Sequence, residues 1–146
     1  MSSIYFSDIL IKAQIDPKEV LLIRHALSEK YCRRCYEDGY ILEYTRIQAP
    51  SFTKKYRYWA IFVGNSGSMA IYKGLYKLGG AIINESRFCP EGFPFPEMYD
   101  GKGAYFELEE LDVLGDLKDR LMIDWGLSAR MWHQKATNEK AVVAIQ

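Results

Sequence analysis

The chain has 146 residues, of which 49% are apolar and 26% charged, and its 19 basic side chains balance its 19 acidic ones. A net charge of zero excludes a general polycation that coats nucleic acid, and the length predicts a single domain over residues 1–146. A domain of this size buries roughly 70% of the surface that its unfolded chain exposes, so folding needs neither a metal nor a disulfide.

The N-terminal third of the chain predicts short helices around one buried strand. Ser7 is the expected N-cap of a helix with the sequence DILIKAQ, and Asp16-Pro17 is expected to open a second helical turn. The compact apolar run VLLIRH, at 20–25, predicts a buried strand. Ser28 is expected to begin another helix, and the pattern over 40–48 favours a helix over a strand.

The clearest strand signal lies at 57–83. Two alternating runs flank the segment Gly64-Asn65-Ser66-Gly67, whose residues tolerate the positive φ angles of a tight hairpin turn. Gly74 is expected to mark a bulge or a close backbone approach, and Gly79-Gly80 is expected to end the second strand.

The C-terminal part predicts further strands at 105–111, 120–126 and 141–145. Residues 84–103 are rich in proline and phenylalanine and form a connection too long for an ordinary turn. Successive strands with short turns favour an α+β fold, in which a curved, partly closed, mostly antiparallel β-barrel carries two or three helices near the N-terminus.

One stretch of the chain is basic although the whole chain is neutral. Between Tyr44 and Asn84 there are six basic residues and no acidic one, whereas nine acids and three bases lie between Glu97 and Asp124. Such a local charge points to a polyanion as the partner, and DNA is the partner we expect. The predicted phosphate-binding residues are Arg46, Lys54, Lys55, Arg57, Lys73 and Lys77.

Aromatic residues suggest a second element of recognition, a pocket that stacks on an extruded base. Asp124-Trp125-Gly126 is followed by Arg130, Trp132 and Gln134, so indoles alternate with groups that can pair with base edges. The alternative is that Trp125 belongs to the core and Trp132 covers a surface gap. The predicted base pocket consists of Trp59, Tyr72, Tyr76, Asp124, Trp125, Trp132 and Gln134.

Arg24 and His25 end the predicted strand at 20–25 and are further site candidates. A charged arginine at the end of a buried strand must leave the core or find a partner, because burial of an unpaired charge is costly. Asp124, also at a strand end, is the candidate partner. A structural ion pair and the edge of a pocket are both open readings of this arginine.

Metal binding, catalysis and membrane insertion find little support in the sequence. Cys32 and Cys35 form a single C-x-x-C pair that His25, Cys89 and His133 could complete, but a zinc ribbon normally shows two such pairs, so we expect no metal and no cofactor. The N-terminus lacks the pattern of a cleavable signal, and no apolar run approaches the roughly 20 residues of a membrane span. We therefore expect a cytoplasmic protein with reduced thiols.

Several phrases of the sequence together resemble one family. They are DILIKAQIDPKEVLLIRH, SFTKKYRYWAIFVG, AIYKGLYKL, RLMIDWG, the spaced triplet Arg130-x-Trp132-x-Gln134, and AVVAIQ. This combination resembles the N-terminal, non-nuclease domain of bacterial GIY-YIG-type nucleases, and the strand pattern is similar in style to PUA-like barrels that read modified bases. The thiol-bearing segment and the Phe/Pro loop at 88–96 depart from the pattern. The resemblance implies a targeting module, whose nuclease domain acts in cis or in trans.

The sequence thus predicts a DNA-binding specificity domain of a restriction or phage-defence nuclease, which recognises a modified or flipped base and is not itself an enzyme. The alternative from another class is a protein-interaction module that uses the acidic segment 97–124 and the Phe93–Phe95 loop. A nucleotide-processing enzyme ranks third, because the chain shows no paired carboxylates and no nucleophile–base spacing. The salt dependence of binding distinguishes the first two hypotheses, because counterion release makes DNA affinity fall as the ionic strength rises.

Overall fold

A computed structural model describes residues 4–25, 42–45, 56–64, 67–83, 104–126 and 133–146. One helix, two 3₁₀ turns and eight strands occur in these ranges. In chain order they are α1 (Phe6–Lys12), a 3₁₀ turn (Pro17–Glu19), β1 (Val20–His25), β2 (Leu42–Thr45), β3 (Tyr58–Gly64), β4 (Met69–Ile83), β5 (Ala104–Glu110), a second 3₁₀ turn (Gly115–Leu117), β6 (Leu121–Asp124), β7 (His133–Lys135) and β8 (Val142–Ile145).

The strands form one mixed, mostly antiparallel sheet of an α+β fold. Its main order is β2-β5-β4-β3-β1-β7, and β6 pairs with β4 and with β8. Only β1 and β3 run parallel among the described pairs. Within the same ranges the end strands β2 and β7 do not pair with each other, so the sheet is open there and the expected barrel is not confirmed.

The long strand β4 carries the bends of the sheet. Its start pairs with β6 and its end with β5, while β3 runs along the other edge. The register shifts between Ile61 and Phe62, where Gly74 adopts a φ of +130°, so the predicted bulge is confirmed. The prediction that Gly79-Gly80 ends the strand is wrong, because the two glycines lie in a second register shift and pairing resumes at Ala81.

Two local predictions near the N-terminus fail. Residues 42–45 form a strand instead of a helix, because antiparallel pairing with β5 overrides a weak local pattern. Helix α1 begins at Phe6 with Tyr5 as its N-cap, so Ser7 lies inside the helix. The carboxylate of Asp8 accepts from the Tyr5 N–H at 2.9 Å, which satisfies that donor without a serine cap.

Other predicted elements are confirmed. Strand β1 spans the predicted residues 20–25, and β5, β6 and β8 fall within or next to the predicted strand segments. Asp16 caps the 3₁₀ turn, since its Oδ1 accepts from the Lys18 N–H at 3.0 Å. The predicted helix after Ser28 lies outside the described residues.

The core lies on both faces of the central strands. One face packs Val20, Leu22, Ala60 and Phe62 against Phe6 and Leu10 of α1. The opposite face carries Leu21, Ile23, Trp59 and Ile61, which are also fully buried. Strands β1 and β3 are therefore enclosed on two sides, which is why their sequences are nearly continuous apolar runs.

No helix in the described part of the chain is both long and apolar enough to cross a membrane.

Candidate nucleic-acid interface

Four exposed cations lie at one end of the sheet, Lys77 and Lys135 on β4 and β7, and Lys18 and Arg57 just before β1 and β3. Lys135 is opposite Leu21, and the Arg57 N–H donates to the Glu19 carbonyl at 3.0 Å, next to Lys18. Lys77 is opposite Tyr58, the residue that follows Arg57. These side chains, Lys18, Arg57, Lys77 and Lys135, are all exposed, and we call them the basic row. The basic row extends over three distances between neighbouring strands, about 14 Å in total.

Acidic residues moderate the charge of the basic row. The Glu19 carboxylate lies 3.6 Å from the Arg57 guanidinium, whose side chain is 63% exposed. Glu109 is opposite Lys77 across the β4–β5 pair. Exposed ion pairs of this kind contribute little stability, so a phosphate can replace the carboxylate beside Arg57 at small cost. The Arg57 guanidinium also lies 5.5 Å from the Tyr58 ring centre, which restrains its orientation.

The predicted phosphate-binding residues separate into three groups. Arg57 and Lys77 are brought together in the basic row, as described above. The Lys73 ammonium instead donates to the Asp119 carboxylate and its side chain is only 17% exposed, so this lysine has a structural partner. Arg46, Lys54 and Lys55 lie outside the described residues.

The prediction of an open aromatic pocket is wrong for four of its five rings. The side chains of Trp59, Tyr72, Tyr76 and Trp125 are all at most 1% exposed. The Phe62 ring centre lies 5.6 Å from that of Tyr72 and 6.1 Å from that of Trp125, within a packed aromatic cluster. The physical reason is that these large rings pack in the core on the two faces of the central strands, so no ring face is open to a base. Trp132 lies outside the described residues.

The two predicted base-edge readers bond the backbone. Gln134 is buried, and its Nε2 donates to the Trp125 carbonyl at 2.8 Å while its Oε1 accepts from the Asn138 amide at 3.3 Å. The Asp124 carboxylate accepts from the Gly126 N–H at 3.0 Å. Both side chains bond the backbone of the two residues after β6, Trp125 and Gly126, so a role for either one in reading a base would require these bonds to break.

Arg24 and His25 occupy the end of β1 opposite to the basic row, and both are half-buried. The guanidinium of Arg24 lies directly against the backbone of Gly64. A Cβ atom added to that glycine would stand 2.2 Å from Nη2 and 2.6 Å from Cζ. A side chain at position 64 would therefore require the Arg24 guanidinium to shift. The proposed pairing of Arg24 with Asp124 stays a prediction, and Arg130 lies outside the described residues.

Tyr72 has an unusual environment for a tyrosine. Its hydroxyl is buried and has no hydrogen-bond partner within the described structure. Burial raises the pKa of this hydroxyl above its ordinary value, and the neighbouring Tyr76, Glu110 and Asp116 raise it further. The group is therefore a neutral phenol at physiological pH, with an unmet capacity to donate and accept.

Comparisons with other proteins add no identity. No match is found among known protein families, among curated proteins or among solved structures. The residues described by the structure also contain no group of three or more His, Cys, Asp or Glu side chains that could hold a metal ion.

Sequence reasoning missed two members of the basic row, Lys18 and Lys135. They are far apart in the sequence and come together because β7 pairs antiparallel with β1. The sequence signal that could have indicated Lys135 is the short alternating run 133–135, but three residues are too few to predict a strand.

Proposed function

We propose that this chain is a DNA-binding specificity domain that contacts the phosphates of duplex DNA through the basic row. The observation that supports the proposal is the placement of four exposed cations on or just before four neighbouring strands at one end of the sheet. Lys77 and Lys135 extend from opposite faces of the sheet, so a polyanion that crosses this end could meet cations of both faces.

The dimensions of the basic row suit a nucleic-acid backbone. It extends about 14 Å, and each strand of duplex DNA presents one charge about every 3.4 Å along the helix axis. A row of this length spans several phosphates of one DNA strand. Arg57 supplies a planar donor that can bind a phosphate with two hydrogen bonds, whereas the three lysines act as point charges.

Base recognition belongs to the same proposal. Four of the predicted stacking rings are in the core, so Trp132 and Arg130 are the residues to which we assign contact with a modified or flipped base. The resemblance to the targeting domain of GIY-YIG-type nucleases favours a role in DNA targeting and assigns no residue. In that role the domain would direct a restriction or phage-defence nuclease, present in cis or in trans, to its DNA.

The test is fluorescence anisotropy with labelled duplexes that carry plain, methylated, hydroxymethylated or glucosylated cytosine. We expect Arg57→Gln/Lys77→Gln to weaken binding to every duplex by at least about tenfold, because each charged hydrogen bond contributes about 1.5 kcal/mol or more. Lys140→Gln is the matched control, since it removes a charge whose ammonium lies beside Gly126 and outside the basic row. Equal losses for the double variant and the control would contradict the proposed interface.

The second candidate function is protein interaction through the acidic side of the sheet. Glu109, Glu110, Asp112 and Asp116 are exposed on β5 and the segment that follows it. A basic partner could dock there. Absence of binding to all four duplexes at low salt, with a folded protein, would favour this second candidate.

A further inference from the structure

The segment that follows β5, residues 111–119, is attached to the sheet in a distinctive way. Among its described residues none is fully buried. Its apolar side chains, Leu111, Val113, Leu114 and Leu117, pack at the margin of the core cluster that contains Tyr72, while its acidic side chains face outward. We call this segment the strap.

Few backbone bonds join the strap to the sheet. In the described structure, the Leu111 N–H donates to the Leu75 carbonyl and the Asp119 N–H donates to the Tyr72 carbonyl, each at 2.9 Å. The other bonds of the strap backbone run within it, such as Gly115 N–H to the Asp112 carbonyl at 3.0 Å, or join it to Arg120, whose N–H donates to the Leu117 carbonyl and whose guanidinium donates to the Asp116 carbonyl, each at 3.0 Å. The strap can therefore separate from β4 while its own turns stay formed.

Two ion pairs fasten the ends of the strap. The Lys118 ammonium donates to the Glu110 carboxylate, and the Lys73 ammonium donates to the Asp119 carboxylate. The Asp119 side chain is 65% exposed and both partners of the Lys118–Glu110 pair are partly exposed, so salt weakens the two pairs.

The closed strap leaves one polar group unsatisfied. Tyr72, whose carbonyl accepts from the Asp119 N–H, has a buried hydroxyl with no hydrogen-bond partner among the described residues, a state that hydration on opening would relieve.

We propose that residues 111–119 form a strap that opens as a unit, without global unfolding, and uncovers the hydroxyl of Tyr72. The ion pairs and apolar contacts favour the closed state, and the unsatisfied hydroxyl favours the open one. The strap is thus a conformational device built into the edge of the core, independent of whether the basic row binds DNA.

Amide hydrogen exchange on the whole chain tests the proposal. We expect the strap amides, including those of Leu111, Leu117 and Asp119, to exchange through a low-energy opening, much faster than the amides of the β3–β4 pair. An increase of salt from low to about 0.5 M should accelerate the strap amides several-fold and leave the β3–β4 amides unchanged. Equal opening free energies for the two sets would contradict the proposal.

Tyr72→Phe tests whether opening of the strap uncovers the tyrosine hydroxyl. The variant removes the unsatisfied group, so strap exchange should slow by about fivefold or more. If the strap opened without uncovering the hydroxyl, the variant would slow only the β3–β4 amides, which exchange by global unfolding, and that result would overturn the proposal.

Lys118→Met tests the fastening with a matched control. It removes the ion pair to Glu110 but keeps an apolar stem, and strap exchange should rise by roughly two- to fivefold. Arg57→Met removes the exposed Arg57–Glu19 pair at the other side of β4 and should leave strap exchange unchanged. Identical effects of the two variants would also overturn the proposal.

Discussion

The Tyr72 hydroxyl leads to a prediction on pH-dependent stability. Its pKa is raised in the folded state, so the folded protein retains a proton that the unfolded chain releases above about pH 10. The free energy of unfolding is therefore independent of this group below that pH and falls as the pH rises further. We expect Tyr72→Phe to lose less stability than the wild type between about pH 9 and pH 11, measured by urea unfolding.

The same variant should be more stable at neutral pH. Removal of a buried hydroxyl without a partner is expected to increase the free energy of unfolding by about 1 kcal/mol. A variant with unchanged stability at pH 7 and an unchanged alkaline slope would show that the hydroxyl is hydrated in the native state.

The absence of a side chain at Gly64 leaves room for the Arg24 guanidinium. Gly64→Ala places a methyl group 2.2 Å from the Arg24 guanidinium, so the half-buried arginine must move. We expect a loss of about 1–2 kcal/mol in thermal or urea unfolding. Gly115→Ala is the control, because its added methyl meets no atom within 4 Å, and it should change stability by less than about 0.5 kcal/mol.

At the scale of an element, helix α1 ends in a Schellman motif with an unfavourable residue at its left-handed position. Gln14 has a φ of 64°, its N–H donates to the Ile11 carbonyl, and the Ile15 N–H donates to the Leu10 carbonyl, both at 2.9 Å. Gln14→Gly should therefore raise the free energy of unfolding by about 0.5 kcal/mol.

The neighbouring residue gives the matched control for that prediction. Ala13 has a negative φ of −86°, so Ala13→Gly adds freedom to the unfolded chain without relief of strain. It should destabilise the protein by about 0.5–1 kcal/mol. Two changes of the same sign at positions 13 and 14, measured by urea unfolding, would refute the assignment of the motif.

The elements differ in how far the sequence predicts them. Strand β1 and the β3–β4 hairpin follow from a continuous apolar run and from a turn flanked by alternating residues, both of which are local signals. Strand β2 and the parallel pairing of β1 with β3 depend on contacts between distant segments, which no local pattern reports.

The candidate site was only partly accessible to sequence reasoning. Arg57 and Lys77 were predicted because they lie in one basic stretch, whereas the contribution of Lys135 depends on long-range pairing. The aromatic pocket failed for a related reason. An alternating run of rings is compatible with one buried face or with two, and burial of Trp59 on the second face is decided only by the whole fold.

At the scale of the whole molecule, the sheet distributes the charges of a neutral chain unevenly. One end carries the basic row, and exposed acidic residues follow from β5 into the strap. The two charges meet where Glu109 lies opposite Lys77, so a polyanion attracted by the basic row would lie away from β5. In this proposal, DNA binding depends on strand order more than on composition.

The salt dependence of DNA affinity tests this central claim most directly. Four phosphate contacts predict a slope of log K against log salt concentration of about −3 to −4, since each contact contributes about −0.9. We expect Lys77→Gln to reduce the steepness by about one unit and Lys140→Gln to leave it unchanged. A wild-type slope near zero, or equal slopes for the two variants, would contradict the assignment of the basic row as the DNA contact.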